Sequence, residues 1–189
     1  MIDHFGFIAP LYDRLFSPPD RARLKELLRL PIDGALLDAG GGTGRVSGQL
    51  RPLVGQLVLS DESTAMLRQA RKKALCCPVT GTVEQLPFAG ERFERVLVVD
   101  ALHHFADQQR AIGELIRVLR PGGRLVIEEP DLRRLLVKGI ALGEKLMLMR
   151  SRFYYPHEIG RMVAGYGLQP RIEHDGAFAA WIIADKEEG

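Results

Sequence analysis

A glycine-rich stretch near the start of the chain has the residue types needed to bind a ligand through its backbone. It reads LLDAGGGTGRVS (residues 36–47): an apolar run ends at Asp38, and glycines follow at alternate positions, Gly40, Gly42 and Gly44. Glycine lets a backbone approach a ligand closely, where any Cβ would collide. The stretch therefore predicts a ligand-binding loop between a strand and a helix.

The spacing of these glycines separates two classes of ligand. The dinucleotide fingerprint G-x-G-x-x-G needs a glycine at position 45 or at position 47, and the chain has Arg45 and Ser47 there. The observed spacing is D-x-G-x-G-x-G. This disfavours a nicotinamide-dependent oxidoreductase.

Acidic side chains lie where a ribose could be recognised. Asp61 ends the next apolar run, QLVLSD (56–61), and an acid at the end of the second strand of such a unit conventionally bonds ribose hydroxyls. We expect Asp61 to make that bidentate contact; the alternative is that it caps the next helix. Asp38 also has two interpretations, a ligand contact or a turn former that holds the loop.

Groups that could move a proton follow a third apolar run, RVLVVD (95–100). Asp100 ends this run, and His103 and His104 come shortly after it. Histidine changes charge near neutral pH, which suits a general base. The alternative is that one of the two histidines is buried and hydrogen-bonded as part of the structure. The three residues are our candidate catalytic groups for a substrate that must lose a proton.

Four apolar runs that end in acids must position these groups, and stretches with helical periodicity separate them. The runs are ALLDA (35–39), QLVLSD, RVLVVD and RLVIEE (124–129). Continuous apolar runs are typical of strands buried on both faces of a parallel sheet, so the alternation predicts a right-handed, doubly wound α/β sheet. A helix ending at the R-P-G-G of residues 120–123 should precede the fourth run. Residues 168–176 and 178–186 predict an antiparallel hairpin at the sheet edge.

Five motifs, in order along the chain, resemble those of the class I S-adenosylmethionine-dependent methyltransferases. The start, FGFIAPLYDRLF, also resembles the ubiquinone/menaquinone C-methyltransferase-like (methyltransferase type 11) branch. The resemblance implies a Rossmann-like, seven-stranded sheet and S-adenosylmethionine as cofactor. The segments that carry it are residues 5–16, 36–47, 60–67, 81–105 and 114–130.

The resemblance also assigns residues to the cofactor. The positions that match the family's cofactor contacts are Tyr12, Asp38, Gly40, Gly42, Thr43, Asp61, Glu62, Thr82, Val83 and Val99. Thr82 departs from the family, which commonly has an aspartate facing the adenine, and Glu84 is the alternative acid. Glu62 has a second interpretation as a solvated surface acid, and Tyr12 has one as a packing aromatic.

The resemblance leaves the methyl acceptor open. The quinone-methylating branch usually has Arg-Asn where this chain has His103 and His104, which weakens a quinone assignment. We expect a single domain over residues 1–189, with an N-terminal helical cap (1–30) and a helical roof over the acceptor (131–158). Three interpretations of residues 132–152 within the roof stay open: a lid over the substrate, a helix that contacts a membrane surface, or an amphipathic helix that packs on the sheet. A compact roof favours a small acceptor or a site completed by a second subunit in a homodimer.

The composition excludes several classes of function. Lysine and arginine number 26 against 24 acidic residues, a net charge of +2, so no basic excess points to nucleic acid. No apolar run approaches the roughly 20 residues of a membrane span, and the N-terminus lacks signal-peptide features. Cys76 and Cys77 are adjacent, which offers neither a disulfide framework nor metal-ligand spacing. We expect a cytoplasmic protein without a metal.

Two functions of different class remain. The first is an S-adenosylmethionine-dependent methyltransferase that acts on a small, apolar or aromatic metabolite by direct displacement. The second is a non-catalytic, S-adenosylmethionine-binding protein that serves as a regulatory or partner subunit. Consumption of S-adenosylmethionine with an acceptor distinguishes the two.

Overall fold

A computed structural model describes residues 19–73, 77–131, 152–174 and 179–188. Tyr12, most of the N-terminal cap and most of the roof lie outside these residues. Within the roof range, Arg152 to Tyr155 have no regular secondary structure, and the next helix begins at Pro156. The expected helical roof is therefore not continuous up to residue 158.

The described residues form a seven-stranded, mostly parallel sheet, which confirms the predicted fold class. The strand order is β3-β2-β1-β4-β5-β7-β6. Strands β1 to β5 pair in parallel, whereas β7 runs antiparallel to both β5 and β6, as the predicted hairpin requires. The strands are β1 Ile32–Ala39, β2 Val54–Asp61, β3 Cys77–Thr80, β4 Phe93–Val99, β5 Leu119–Pro130, β6 Arg171–His174 and β7 Ala179–Asp185.

Three of the described helices begin where a preceding side chain accepts from an N–H group of the first turn. The Asp20 carboxylate accepts from Ala22 N at 3.1 Å, and Ser63 and Asp107 cap the helices that follow them. The helices are α1 Arg21–Leu28, α2 Ser47–Leu50, α3 Thr64–Lys72, α4 Gln108–Val118 and α5 Pro156–Ala164. Short 3₁₀ turns cover Val83–Gln85 and Leu102–His104.

One boundary differs from the prediction. Helix α4 ends at Val118, and the R-P-G-G stretch lies at the start of β5, where the pairing with β4 shifts register between Phe93 and Arg95. Between these pairs one residue of β4 lies opposite four residues of β5, and Gly122 has φ of +70°, a left-handed conformation that glycine adopts readily. The helix therefore ends just before the R-P-G-G stretch, as predicted, whereas β5 begins at Leu119 and includes this stretch, earlier than the predicted run at 124–129.

The two faces of the sheet bury separate apolar layers. Residues of α4 and α5 pack with Leu37 and its face of β1, whereas α1 and α2 pack with Leu36 on the opposite face. Strand β1 lies between β2 and β4, so the chain crosses over in opposite directions on its two sides. Ligands of open α/β sheets bind at this switch point, outside the carboxyl ends of the strands.

Candidate functional site at the carboxyl ends of the strands

The glycine loop follows β1 at this switch point. Gly40, Gly42 and Gly44 all have positive φ, of +71°, +55° and +74°. A Cβ at Gly40 would lie 2.8 Å from the Cβ of Ala101, whereas a Cβ at Gly42 would meet no atom of the described residues within 4 Å. Gly40 thus permits close packing against the turn after β4. Gly42 has no atom of the described part of the chain on the side where a Cβ would stand, so a ligand can approach its backbone there.

Asp38 holds the loop from beneath. Its side chain is 1% exposed, and its Oδ2 accepts from Ser47 Oγ at 2.6 Å, which ties the end of β1 to the start of α2. Burial raises the pKa of the Asp38 carboxyl to about 6, against the opposing effects of the Ser47 hydrogen bond and of Arg45. This burial and the Ser47 bond fit the contacts expected of a turn former, one of the two interpretations that the sequence leaves for Asp38.

Asp61 joins the glycine loop to the second strand. Its Oδ2 accepts from Gly42 N at 2.9 Å, and its Oδ1 accepts from Ser63 N at 2.8 Å. The helix cap itself is Ser63, whose hydroxyl accepts from Met66 N. Each carboxylate oxygen has a second lone pair, so both oxygens can accept a further bond from a diol. Asp61 is half-buried, and the two backbone bonds fix its orientation at the strand end.

The remaining cofactor candidates lie around Asp61 and the loop. Gly81 N donates to the backbone oxygen of Asp61 at 3.1 Å, which places exposed Thr82 directly beyond it. Thr43, Val83 and Val99 are buried, and Glu62 is exposed.

The alternative acid for the adenine position, Glu84, is engaged elsewhere. Its Oε1 accepts from Asp107 N at 3.2 Å, and its backbone oxygen accepts from Arg110 Nε. These bonds direct Glu84 toward the start of α4.

Asp100 stands across the loop, in the turn after β4. It has φ of +52°, which is unusual for a residue with a Cβ, and its N–H donates to Glu128 O at 3.0 Å. Its carboxylate lies 3.8 Å from Arg45 of the glycine loop. The ion pair links the loop to the turn and places a carboxylate between them.

The two histidines after Asp100 differ in their surroundings. His103 is 2% exposed, and its Nδ1 lies 2.7 Å from Oε2 of Glu129. His104 is only half-buried, and its ring lies 3.9 Å from that of His103. Burial, followed by the effect of His103, lowers the pKa of His104 to about 3, so that His104 is neutral at physiological pH. The contacts of His103 fit the alternative given by the sequence, in which one of the two histidines is buried and hydrogen-bonded as part of the structure.

Sequence reasoning missed three residues of this site: Glu129, Ser47 and Arg45. Glu129 belongs to the fourth apolar run that ends in acids, and that pattern could have indicated its position at a strand end. Arg45 and Ser47 entered only as residues that break a fingerprint, although the first pairs with Asp100 and the second bonds Asp38. Among the residues that the structure describes, no cluster of His, Cys, Asp and Glu could hold a metal ion.

The sequence profile of the methyltransferase domain family matches residues 37–127, from the end of β1 to the middle of β5. Residues 37–127 belong to this methyltransferase family. The family predicted from the motifs is thereby confirmed for the segment that contains the glycine loop, Asp61 and the His103–His104 turn.

Curated relatives of the methyltransferase domain include the ubiquinone/menaquinone biosynthesis C-methyltransferases. That of Pseudomonas paraeruginosa is 38% identical over 114 residues, covering 55% of this chain and 44% of the relative. That of Haemophilus ducreyi is 36% identical over 104 residues, covering 50% and 40%. The chain thus spans less than half the length of these relatives.

Solved structures share the fold of the methyltransferase domain. An S-adenosylmethionine-dependent methyltransferase from Thermotoga maritima superposes with a TM-score of 0.77 at 22% identity, over 97% of this chain and 98% of that one. Phosphoethanolamine N-methyltransferase 2 of Haemonchus contortus, in complex with S-adenosyl-L-methionine, gives 0.79 at 15% identity, over 97% and 57%. At these identities the likeness shows the fold alone. No helix in the described part of the chain is long and apolar enough to cross a membrane.

A substitution in the methyltransferase domain, Gly42→Ala, tests whether a ligand approaches the backbone of the glycine loop. Gly42→Ala places a Cβ in open space, so we expect a loss of about 1 kcal/mol in the free energy of unfolding, from the left-handed backbone alone. If the ligand approaches Gly42, its affinity should fall by about tenfold or more, because the Cβ occupies that approach. Thermal melting and calorimetric titration with S-adenosylhomocysteine measure the two effects.

Gly167→Ala is the matched control. Gly167 has φ of +86°, and a Cβ there also meets no atom within 4 Å in the ranges that the structure describes, but Gly167 lies beyond α5. We expect the same small loss of stability and an unchanged affinity. Equal affinity in both variants would contradict ligand approach at Gly42.

Proposed function

We propose that the protein is an S-adenosylmethionine-dependent methyltransferase that acts on a small, apolar or aromatic acceptor. The observation that carries this proposal is the pairing of Asp61 with Gly42. A carboxylate fixed by two backbone N–H groups lies beside a left-handed glycine whose outer side is open. This arrangement fits a ligand that has a ribose diol and continues along the glycine loop.

The chain's own residues can bind each part of such a cofactor. Asp61 would accept hydrogen bonds from both ribose hydroxyls, and Glu62, the next residue, would lie beside the ribose. Gly40, Gly42 and Thr43 would lie along the methionine end, and Thr82, Val83 and Val99 would border the adenine. Asp38 would support the loop from below, and Tyr12, outside the described residues, would close over the cofactor.

The bound cofactor would supply a methyl group on a sulfonium, which is transferred by in-line displacement. The protein's main task is then to hold donor and acceptor in line, an effect worth up to roughly 7–11 kcal/mol in favourable cases. The turn after β4 would form the acceptor side, with Asp100 and His104 toward the substrate and His103 behind them. His103 and His104 replace the Arg-Asn of the quinone-methylating branch, which favours a different small acceptor. We extend the proposal to one domain over residues 1–189, with residues 131–158 as its roof.

His104 should contribute to turnover as a neutral group. Because its pKa is near 3, the imidazole is uncharged from pH 5.5 to pH 8, and it can accept a hydrogen bond from the acceptor without titrating. We expect His104→Gln to lower kcat by about tenfold, by the same factor at both pH values. A ratio of wild-type to variant kcat that rises with pH through the ordinary histidine range would contradict this role.

Calorimetric titration with S-adenosylhomocysteine, repeated with NAD, tests the proposed cofactor. We expect binding of the first in the micromolar range and no binding of NAD. Consumption of S-adenosylmethionine is then screened against phenols, quinols and small amines. Binding without turnover of any acceptor would favour the non-catalytic partner function. Binding of neither ligand would contradict the proposal.

A further inference from the structure

A buried carboxylate at the end of β5, that of Glu129, makes all of its observed hydrogen bonds to another part of the chain. Glu129 is 3% exposed, and its Oε1 accepts from Ala101 N at 3.1 Å and from Leu102 N at 2.7 Å. Its Oε2 lies 2.7 Å from Nδ1 of His103. Buried carboxylates persist where hydrogen bonds replace the lost water, and these three bonds go to consecutive residues of one turn.

The same turn holds the segment that leads into α5. The backbone oxygen of His103 accepts from Arg152 N at 2.8 Å, and the Phe153 ring stacks on the His103 ring at 4.3 Å with 15° between their planes. Gln108 Nε2 adds a bond to Arg152 O at 2.6 Å. Glu129 is therefore connected to residues 152–153 through His103.

We propose that Glu129 is a positioning residue, which holds the turn that carries His104 and, through His103, the segment from Arg152 to Tyr155. A carboxylate oxygen only accepts, so the pairing places the His103 proton on Nδ1 and fixes the ring orientation. The His104 ring packs against this ring, with 3.9 Å between their centroids. The effect of Glu129 on kcat rests on the proposed methyl transfer, whereas its effect on the turn and on the His103 proton does not.

Two substitutions separate the bonds of Glu129. Glu129→Ala removes all three. Glu129→Gln keeps the shape of the side chain: its amide oxygen accepts from the two backbone N–H groups, and its NH₂ faces His103. Because an NH₂ group only donates, the ring proton of His103 must move from Nδ1 to Nε2. Glu94→Gln, at the opposite end of β4 and in contact with Arg95 and Arg120, is the matched control.

Amide hydrogen exchange of the full chain tests the structural step. In Glu129→Ala we expect exchange at Ala101, Leu102 and Arg152 to accelerate by about tenfold or more relative to amides in the middle of β4. In Glu94→Gln these three amides should exchange as in the wild type. Unchanged protection at Arg152 in Glu129→Ala would overturn the proposal, because the contacts that join Arg152 to Glu129 among the described residues run through the turn.

Glu129→Gln keeps the proposal testable if the alanine variant does not fold. We expect ¹⁵N shifts of the imidazole to show His103 protonated on Nδ1 in the wild type and on Nε2 in the variant. Affinity for S-adenosylhomocysteine should stay within about twofold, while kcat falls on the order of 10- to 100-fold with little change in KM. Unchanged kcat with the proton moved would overturn the positioning role. A wild type that binds no S-adenosylhomocysteine contradicts the proposed function, and the exchange and ¹⁵N results still decide the role of Glu129.

Discussion

Asp61→Ala should weaken the binding of S-adenosylhomocysteine by about 100-fold or more. Two hydrogen bonds from ribose hydroxyls to an ionised carboxylate contribute about 1.5–3 kcal/mol each, and a tenfold change in affinity corresponds to about 1.4 kcal/mol. In the wild type, Gly42 N donates to Asp61 at 2.9 Å and this bond fixes the glycine loop. The substitution removes the bond as well. Both effects act in the same direction. Calorimetric titration at fixed salt measures the loss.

Three companion variants show whether the loss belongs to Asp61. Asp61→Asn keeps one accepting oxygen and should lose about tenfold in affinity. Asp33→Ala removes an exposed acid at the other end of the sheet and should leave affinity unchanged. The affinity of Glu62→Ala shows whether Glu62 is a second ribose ligand or a solvated surface acid. Affinity within threefold of the wild type in Asp61→Ala, with a folded protein, would remove Asp61 from the proposed site.

The sequence predicted the sheet well because the relevant signals are local. A run such as RVLVVD is apolar throughout, and only a strand buried on both faces needs that pattern. The carboxyl ends of parallel strands meet at one edge, so Asp61 could be placed beside the glycine loop from the run that it ends. Its bond to Gly42 N confirms this proximity. The helix before R-P-G-G ends where the sequence predicted, at Val118, but the start of β5 was placed too late, because a proline followed by glycines can also lie within the first residues of a strand.

The acceptor side was less predictable, because its contacts depend on the pairing of β4 with β5. From the sequence, His103 and His104 are equally good candidates for a general base. They differ in the folded chain, where the turn directs His103 toward Glu129. The role of Glu129 depends on three contacts to residues far away in the sequence. The apolar run that contains it indicates a strand end but not the direction of the side chain.

Asp38→Asn should stabilise the protein at neutral pH and remove part of the dependence of its stability on pH. The pKa of Asp38 is about 6 in the folded protein, above its ordinary value of 3.8. The folded state therefore retains a proton that the unfolded state loses, and the stability of the wild type falls as pH rises from about 4 to about 6. Above that range the ionised, buried carboxylate costs about 3 kcal/mol, which an uncharged asparagine does not incur.

The measurement is the free energy of unfolding of both proteins at pH 4 and at pH 7.5. The advantage of Asp38→Asn should be near zero or negative at pH 4 and reach about 3 kcal/mol at pH 7.5. Asp33→Asn, an exposed carboxylate on the same strand, should show no such difference. An advantage of Asp38→Asn that is equal at the two pH values would contradict the raised pKa. A stabilised variant that binds S-adenosylhomocysteine more weakly would show why the chain keeps this carboxylate: a charge that lowers stability is retained where function requires it.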